Sequence, residues 1–188
     1  MKKQSSLSEN NLYNTFCLNA AKDENVFKTF KQNNHYNEIL EHINPTLGEY
    51  YYEITNYHYP KAIKKLEKIK ENDKYGGPQI YGYPFGYYSP TTLRYLKVAA
   101  ELDHCFDNIS EYNILEIGGG YGGQALVSNI VHGYKSWTIV DLPEVVELQK
   151  KYLSNFNYSN IESISFLDNF SDKKYDLIVS NYAFSECN

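Results

Sequence analysis

Residues 116–123 read EIGGGYGG: five glycines within six positions, broken only by Tyr121, with Glu116 two residues ahead of the first. A run this rich in glycine lets the backbone turn tightly and lets a ligand approach the main chain. Apolar residues flank it on both sides (Ile114, Leu115 and Ile117 before; Ala125, Leu126 and Val127 after). That is the pattern of strand, glycine turn and helix, in which the helix aims free N–H groups and its positive dipole end at whatever occupies the turn. Asp141 stands 19 positions after Gly122, close to the ~20 at which a βαβ unit places an acid on ribose hydroxyls. It could instead cap the helix that follows. Asp168 and Asn181 each close a later apolar run. The chemistry these residues suit is the binding of a nucleoside-bearing small molecule.

Two registers fit the glycines. Gly118, Gly120 and Gly123 satisfy G-x-G-x-x-G, the dinucleotide fingerprint. Glu116, Gly118, Gly120 and Gly122 satisfy E-x-G-x-G-x-G, which resembles the first motif of class I methyltransferases, the enzymes that use S-adenosyl-L-methionine. A carboxylate at Glu116 suits an ammonium and a sulfonium and repels a pyrophosphate.

The elements that must position these residues can be read from the same stretch. Residues 113–117 form a first strand, and a helix follows the turn as far as His132, with Gly133 as its stop. Residues 136–140 form a second strand ended by Asp141. Pro143 opens a helix with Glu144 and Glu147 early and Lys150 and Lys151 late, which complements its dipole. Residues 161–167 and 175–180 form a third and a fourth strand. Gly118–Gly122, Asp141, Asp168 and Asn181 then share the carboxyl edge of one parallel sheet, where open α/β sheets bind ligands.

A helical region of residues 12–110 precedes this α/β unit of residues 111–188. Residues 1–11 are polar and expected to be disordered. The pattern is weakly helical over 12–43, ends at Asn44-Pro45, and suggests a short helix over 48–59. Pro60 starts another helix, in which Ile63, Leu66 and Ile69 recur every three residues among lysines. Glu38 and His42 have the spacing of a helix-surface pair. Residues 74–88 hold too many glycines, prolines and tyrosines for either regular element and too many aromatics for a flexible linker. An ordered loop is expected there, lining a substrate site or strapping the helices. Ser89 and Pro90 cap a helix running to Phe106. Arg94, in its second turn, could clamp a carboxylate; its position alone favours a surface salt bridge.

The net charge of −5 speaks against a nucleic-acid partner. Three widely separated cysteines suggest no disulfide framework or zinc spacing, the histidines form no metal cluster, and a reducing cytoplasm is expected. No apolar run has the length of a membrane span, and the first residues lack the apolar core of a signal peptide.

The stretches YNEILEH (36–42), SPTTLRY (89–95), EIGGGYGGQ (116–124), DLPEV (141–145), KKYL (150–153) and SNYAFSE (180–186) resemble the sugar O-methyltransferases of bacterial polysaccharide gene clusters. The resemblance implies a Rossmann-like class I methyltransferase fold and methyl transfer from S-adenosyl-L-methionine to a hydroxyl of a sugar or glycan acceptor. It implies that Glu116, Gly118, Gly120 and Gly122 hold the methionine end of the cofactor, Asp141 the ribose and Asp168 the adenine amino group, with Asn181 bordering the methyl donor. Members of the family continue beyond SNYAFSE with further strands. The chain therefore resembles the N-terminal portion of a longer enzyme, expected to be poorly soluble or inactive alone. A sugar hydroxyl must lose its proton during such a transfer. His104, His132, Tyr182 and Glu186 are the conceivable bases, and none is singled out.

Three other readings stay open. A nicotinamide-dependent dehydrogenase would use the same glycines, though not Glu116. A nucleic-acid amino-methyltransferase would carry prolines where this chain has Asn181-Tyr182-Ala183-Phe184. A non-catalytic binding protein or fragment is the third.

Overall fold

A computed structural model describes residues 11–168 and 173–183. The expectations for the first ten residues and for Glu186 lie outside that range. Helix α1 (Asn11–Lys22) begins the described chain, followed by two single-turn helices, α2 (Glu24–Phe27) and α3 (Asn34–Asn37). The weak helical pattern over 12–43 is thus broken, and two side chains account for the breaks. Asp23 Oδ1 accepts from Asn25 N at 2.7 Å and restarts the chain as α2, and Asn33 Oδ1 accepts from His35 N at 3.0 Å and restarts it as α3. Because α3 stops at Asn37, Glu38 and His42 do not share a helix face. Asn44-Pro45 opens the next helix, α4 (Pro45–His58), with Asn44 Oδ1 accepting from Leu47 N at 2.8 Å.

The helix expected from Pro60 is mostly not an α-helix. After α5 (Pro60–Ile63) the chain runs through turns into a 3₁₀ stretch, Lys68–Asp73. The hydrogen bonds Leu66 N→Ile63 O and Lys68 N→Lys65 O span three residues. The three-residue spacing of Ile63, Leu66 and Ile69 is the period of a 3₁₀ helix, which stacks side chains at i and i+3. Residues 74–88 are ordered, but they include a β-hairpin, β1 (Tyr81–Tyr83) against β2 (Gly86–Tyr88), where no regular element was expected. Aromatic stacking offsets the poor strand composition. Phe85 lies between Tyr83 (ring centroids 5.0 Å) and Tyr52 of α4 (3.5 Å).

Helix α6 (Pro90–Cys105), capped by Ser89, leads into the sheet. Strand β3 (Asn113–Ile117) is followed by α7 (Gly123–Val131), β4 (Ser136–Asp141), α8 (Pro143–Leu153), β5 (Ile161–Ser165) and β6 (Leu177–Val179). The third and fourth strands are shorter than the apolar runs suggested. At β5 the Asp168 carboxylate takes the Ser165 N–H at 2.9 Å and turns the chain away. The four strands are parallel, in the order β5-β4-β3-β6. The chain winds outward from β3 to β5, then returns to β3's other side as β6. This Rossmann-like order places a topological switch point at the carboxyl end of β3, where the glycines stand.

The helical region and the α/β unit share one apolar core. It joins Phe30, Tyr36, Leu93 and Leu96 to Tyr121, Leu126, Leu148 and Tyr152. Phe30 meets Tyr36, Tyr121 and Tyr152 edge-on, at 5.1, 5.8 and 6.3 Å. A smaller cluster of Ile114, Ala125, Trp137 and Ile139 includes residues of β3, α7 and β4. Among the described residues no helix is long and apolar enough to cross a membrane.

Candidate functional site

The turn after β3 is left-handed at Gly118 (φ 72°), Gly120 (φ 56°) and Gly122 (φ 89°), a conformation that disfavours any side chain. These are the glycines of the E-x-G-x-G-x-G register. Gly123 is the first residue of α7, and a Cβ there would meet Tyr95 Cε2 at 2.5 Å. Its need for glycine is close packing. The turn is covered from two sides. A Cβ on Gly118 would lie 2.1 Å from Ala183 Cβ, and one on Gly120 would lie 2.7 Å from Leu40 Cδ1. The helical region and the segment after β6 therefore both close on the glycines.

Asp141 faces the turn from the end of β4. Oδ1 accepts from Leu142 N at 2.8 Å and Oδ2 from Gln149 Nε2 at 3.0 Å. The backbone N–H groups of Gly119 and Gly120 also favour its charged form, yet burial pushes the carboxyl up to about 6. Gln149 is fully buried, and its Oε1 has no partner.

Glu116 occupies an inward position of β3 and is 1% exposed. Its Oε2 accepts from Trp137 Nε1 at 2.9 Å. Burial pushes its pKa up to about 8, with the Asp141 charge adding and the Trp137 hydrogen bond and Arg94 opposing. At pH 7 the side chain is mainly protonated, so its standing negative charge is smaller than the sequence alone suggested.

Asp168 is exposed in the turn after β5, beside the strand end that carries Asp141. Asn181 is half-buried after β6, next to Ser180, whose Oγ donates to Ile117 O at 3.0 Å. All seven expected site residues thus lie at the carboxyl ends of the strands. Glu116, the glycines and Asp141 meet directly; Asp168 and Asn181 flank them on opposite sides.

Arg94 is not a surface residue. It is 6% exposed, with its guanidinium 5.1 Å from the Tyr95 ring and 5.9 Å from the Tyr182 ring. Burial opposes its charge, but Tyr95, Tyr121 and Tyr182 offset that and raise its pKa. Tyr182, with φ 75°, is 65% exposed. Two of the four conceivable bases are removed from the site. His132 follows the far end of α7 and His104 lies in the last turn of α6, where both helices lead towards the amino ends of strands.

Lys31 gave no signal in the sequence, and Glu41 entered only as part of the YNEILEH stretch, with no role. Lys31 is 1% exposed, its Nζ donates to Asn72 O at 2.9 Å, and it lies 4.0 Å from the centroid of the Tyr121 ring and 4.9 Å from that of Tyr152. Burial lowers its pKa to about 8 against the pull of Glu41 and Asp73. Burial raises Glu41 to about 7 against the pull of Lys31. Their partners are distant in sequence, so no local spacing marks them. Among the described residues no group of three or more His, Cys, Asp or Glu could hold a metal ion. No family model matches the chain, and no curated protein matches it.

Proposed function

We propose that the chain binds S-adenosyl-L-methionine and serves methyl transfer to a hydroxyl of a sugar or glycan acceptor, on a class I methyltransferase fold. One observation carries the reading: the three left-handed glycines coincide with the E-x-G-x-G-x-G register, and Asp141 faces them at the switch point of the sheet. The residues fit such a cofactor. The buried Gln149 Oε1, unpartnered beside Asp141, is a spare acceptor for a ribose hydroxyl.

Bound cofactor would supply an activated methyl group. Asp141 and Gln149 would hold its ribose, Asp168 the adenine amino group, and the turn its amino-acid end. Glu116, once ionised with its proton released to solvent, would balance the charge of the cofactor's ammonium. Asn181 borders the methyl donor. The exposed Tyr182, next to Asn181 in the chain, lies against the Arg94 guanidinium. The core that joins the helical region to the turn excludes water from this side.

A nicotinamide dinucleotide is the second reading, because the close packing at Gly123 also suits the third glycine of that fingerprint. Calorimetric titration with S-adenosylhomocysteine and with NAD separates the two. Binding of the first alone supports the proposal, and binding of the second alone overturns it.

A further inference from the structure

A small cavity lies beside the hairpin, with Lys31, Asn37, Glu41, Gln79 and Tyr81 as its polar lining and Ile43 and Pro90 as its apolar lining. It adjoins the glycine turn through two of its walls. Leu40, next to Glu41, packs on Gly120, and Lys31 stacks on the Tyr121 ring. Arg94 stands one helical turn beyond Pro90 and reaches Tyr182. None of the roles assigned above uses the cavity.

Its walls carry unpartnered groups. Glu41 Oε1 and Asn37 Oδ1 are buried without a hydrogen bond, as is the nearby Thr91 Oγ1. The Thr91 hydroxyl is near enough to Glu41 to oppose its pKa shift, but no full hydrogen bond closes between them. Buried acceptors without donors are rare and mark a place where a ligand or water belongs. Two acceptors on one wall call for a ligand that donates. An anion would set its charge against the Glu41 carboxyl. An ammonium would face Lys31, whose charge acts on the same carboxyl. A neutral hydroxyl group fits both the donor requirement and the charges. The cavity measures about 30 Å³, room for about two water-sized oxygens. It would admit the edge of a sugar ring carrying two adjacent hydroxyls, with the ring itself outside, over Gln79 and Tyr81.

We infer that Glu41 and Asn37 form a subsite that binds a vicinal pair of hydroxyls on the acceptor. This rests on the methyltransferase reading for the word acceptor, though not for the chemistry of the cavity. Burial is what raises the pKa of Glu41, with Lys31 and the Thr91 hydroxyl opposing it, so the inference rests on the cavity and its unpartnered oxygens. The groups acting on that carboxyl are Lys31, Asp73 and Arg94.

The test is a nuclear magnetic resonance titration of the full chain, labelled at its side-chain amides, with a panel of neutral methyl glycosides carrying cis and trans vicinal diols. Inorganic phosphate and ammonium serve as the anionic and cationic probes. The expected result is saturable shifts of the Asn37 and Gln79 side-chain amides with at least one glycoside and with neither ion. Glu41→Gln keeps the shape and should weaken that binding about tenfold, the effect of losing one charge-assisted hydrogen bond. Asn37→Leu should weaken it comparably, and both variants should keep the wild-type response to S-adenosylhomocysteine. Shifts with phosphate alone would make the cavity an anion site, and no shift at these amides with any glycoside would mean that it holds only water; either result would overturn the inference. Glycoside binding by a chain that ignores S-adenosylhomocysteine would keep the subsite and sink the methyltransferase reading. The reverse pattern would sink the subsite alone.

Discussion

Replacing Glu116 with glutamine separates two consequences of one buried carboxyl. The side chain is 1% exposed, accepts the Trp137 indole N–H at 2.9 Å, and has its pKa pushed up to about 8. In the unfolded chain it would titrate near 4.5. The native state therefore holds a proton that the unfolded state has released throughout that window. Stability from this group is fully present below pH 4.5 and is lost as pH rises towards 8. At pH 7 the loss is about 3 kcal/mol, from roughly 2.5 pH units at 1.36 kcal/mol each. Glutamine cannot ionise in either state, and its amide oxygen still accepts from Trp137. Glu116→Gln should therefore stabilise the protein by about 1–3 kcal/mol at pH 7, read as a rise of several degrees in melting temperature. The same change should weaken the cofactor, because the variant cannot develop the charge that balances an ammonium. Wild-type affinity for S-adenosylhomocysteine, relative to the variant, should rise about fivefold between pH 7 and pH 8 as the free carboxyl ionises. Calorimetry in two buffers of different ionisation enthalpy should show wild type releasing about 0.9 proton more than the variant at pH 7. A variant less stable than wild type at pH 7 would refute the neutral buried carboxyl. Equal affinities across this range would refute its contact with the ligand.

Other perturbations probe the neighbouring parts. Asp141→Asn should weaken cofactor binding at least tenfold, and wild-type binding should fall as the solution is acidified below about pH 6, where the carboxyl takes its proton. The stability contribution of Asp141 runs the other way, decreasing as pH rises from 3.8 to about 6; melting curves across that range, with the variant as baseline, check it. Gly118→Ala places a methyl 2.1 Å from Ala183 Cβ at a residue with φ 72°. It should destabilise the fold by about 1–3 kcal/mol and abolish cofactor binding by displacing the segment after β6, both measurable by chemical denaturation and calorimetry.

The glycine turn, its four parallel strands and the shared edge of Asp141, Asp168 and Asn181 were legible because each depends on local pattern. Apolar runs end in turn residues, and the spacing from Gly122 to Asp141 is that of a βαβ unit. Local pattern failed where two geometries share one spacing. Ile63, Leu66 and Ile69 serve a 3₁₀ path as well as an α-helix. It failed again at 81–88, where stacking on Tyr52, far away in sequence, holds a hairpin that the glycines and proline argue against. Position on the helix alone favours a surface salt bridge for Arg94, because it does not reveal that Tyr182 will lie against it. The burial of Lys31 and Glu41 was illegible for the same reason. Lys31 is buried against Asn72, Tyr121 and Tyr152, which lie 41 or more positions along the chain.

Cofactor identity is the central claim, and calorimetric titration of the purified chain with S-adenosylhomocysteine, paired with NAD, tests it most directly. Saturable binding of S-adenosylhomocysteine, lost in Gly120→Arg and absent with NAD, is the predicted result. The substitution forces a long side chain into a left-handed position already closed by Leu40. Binding of NAD in place of S-adenosylhomocysteine by the folded chain would contradict the account.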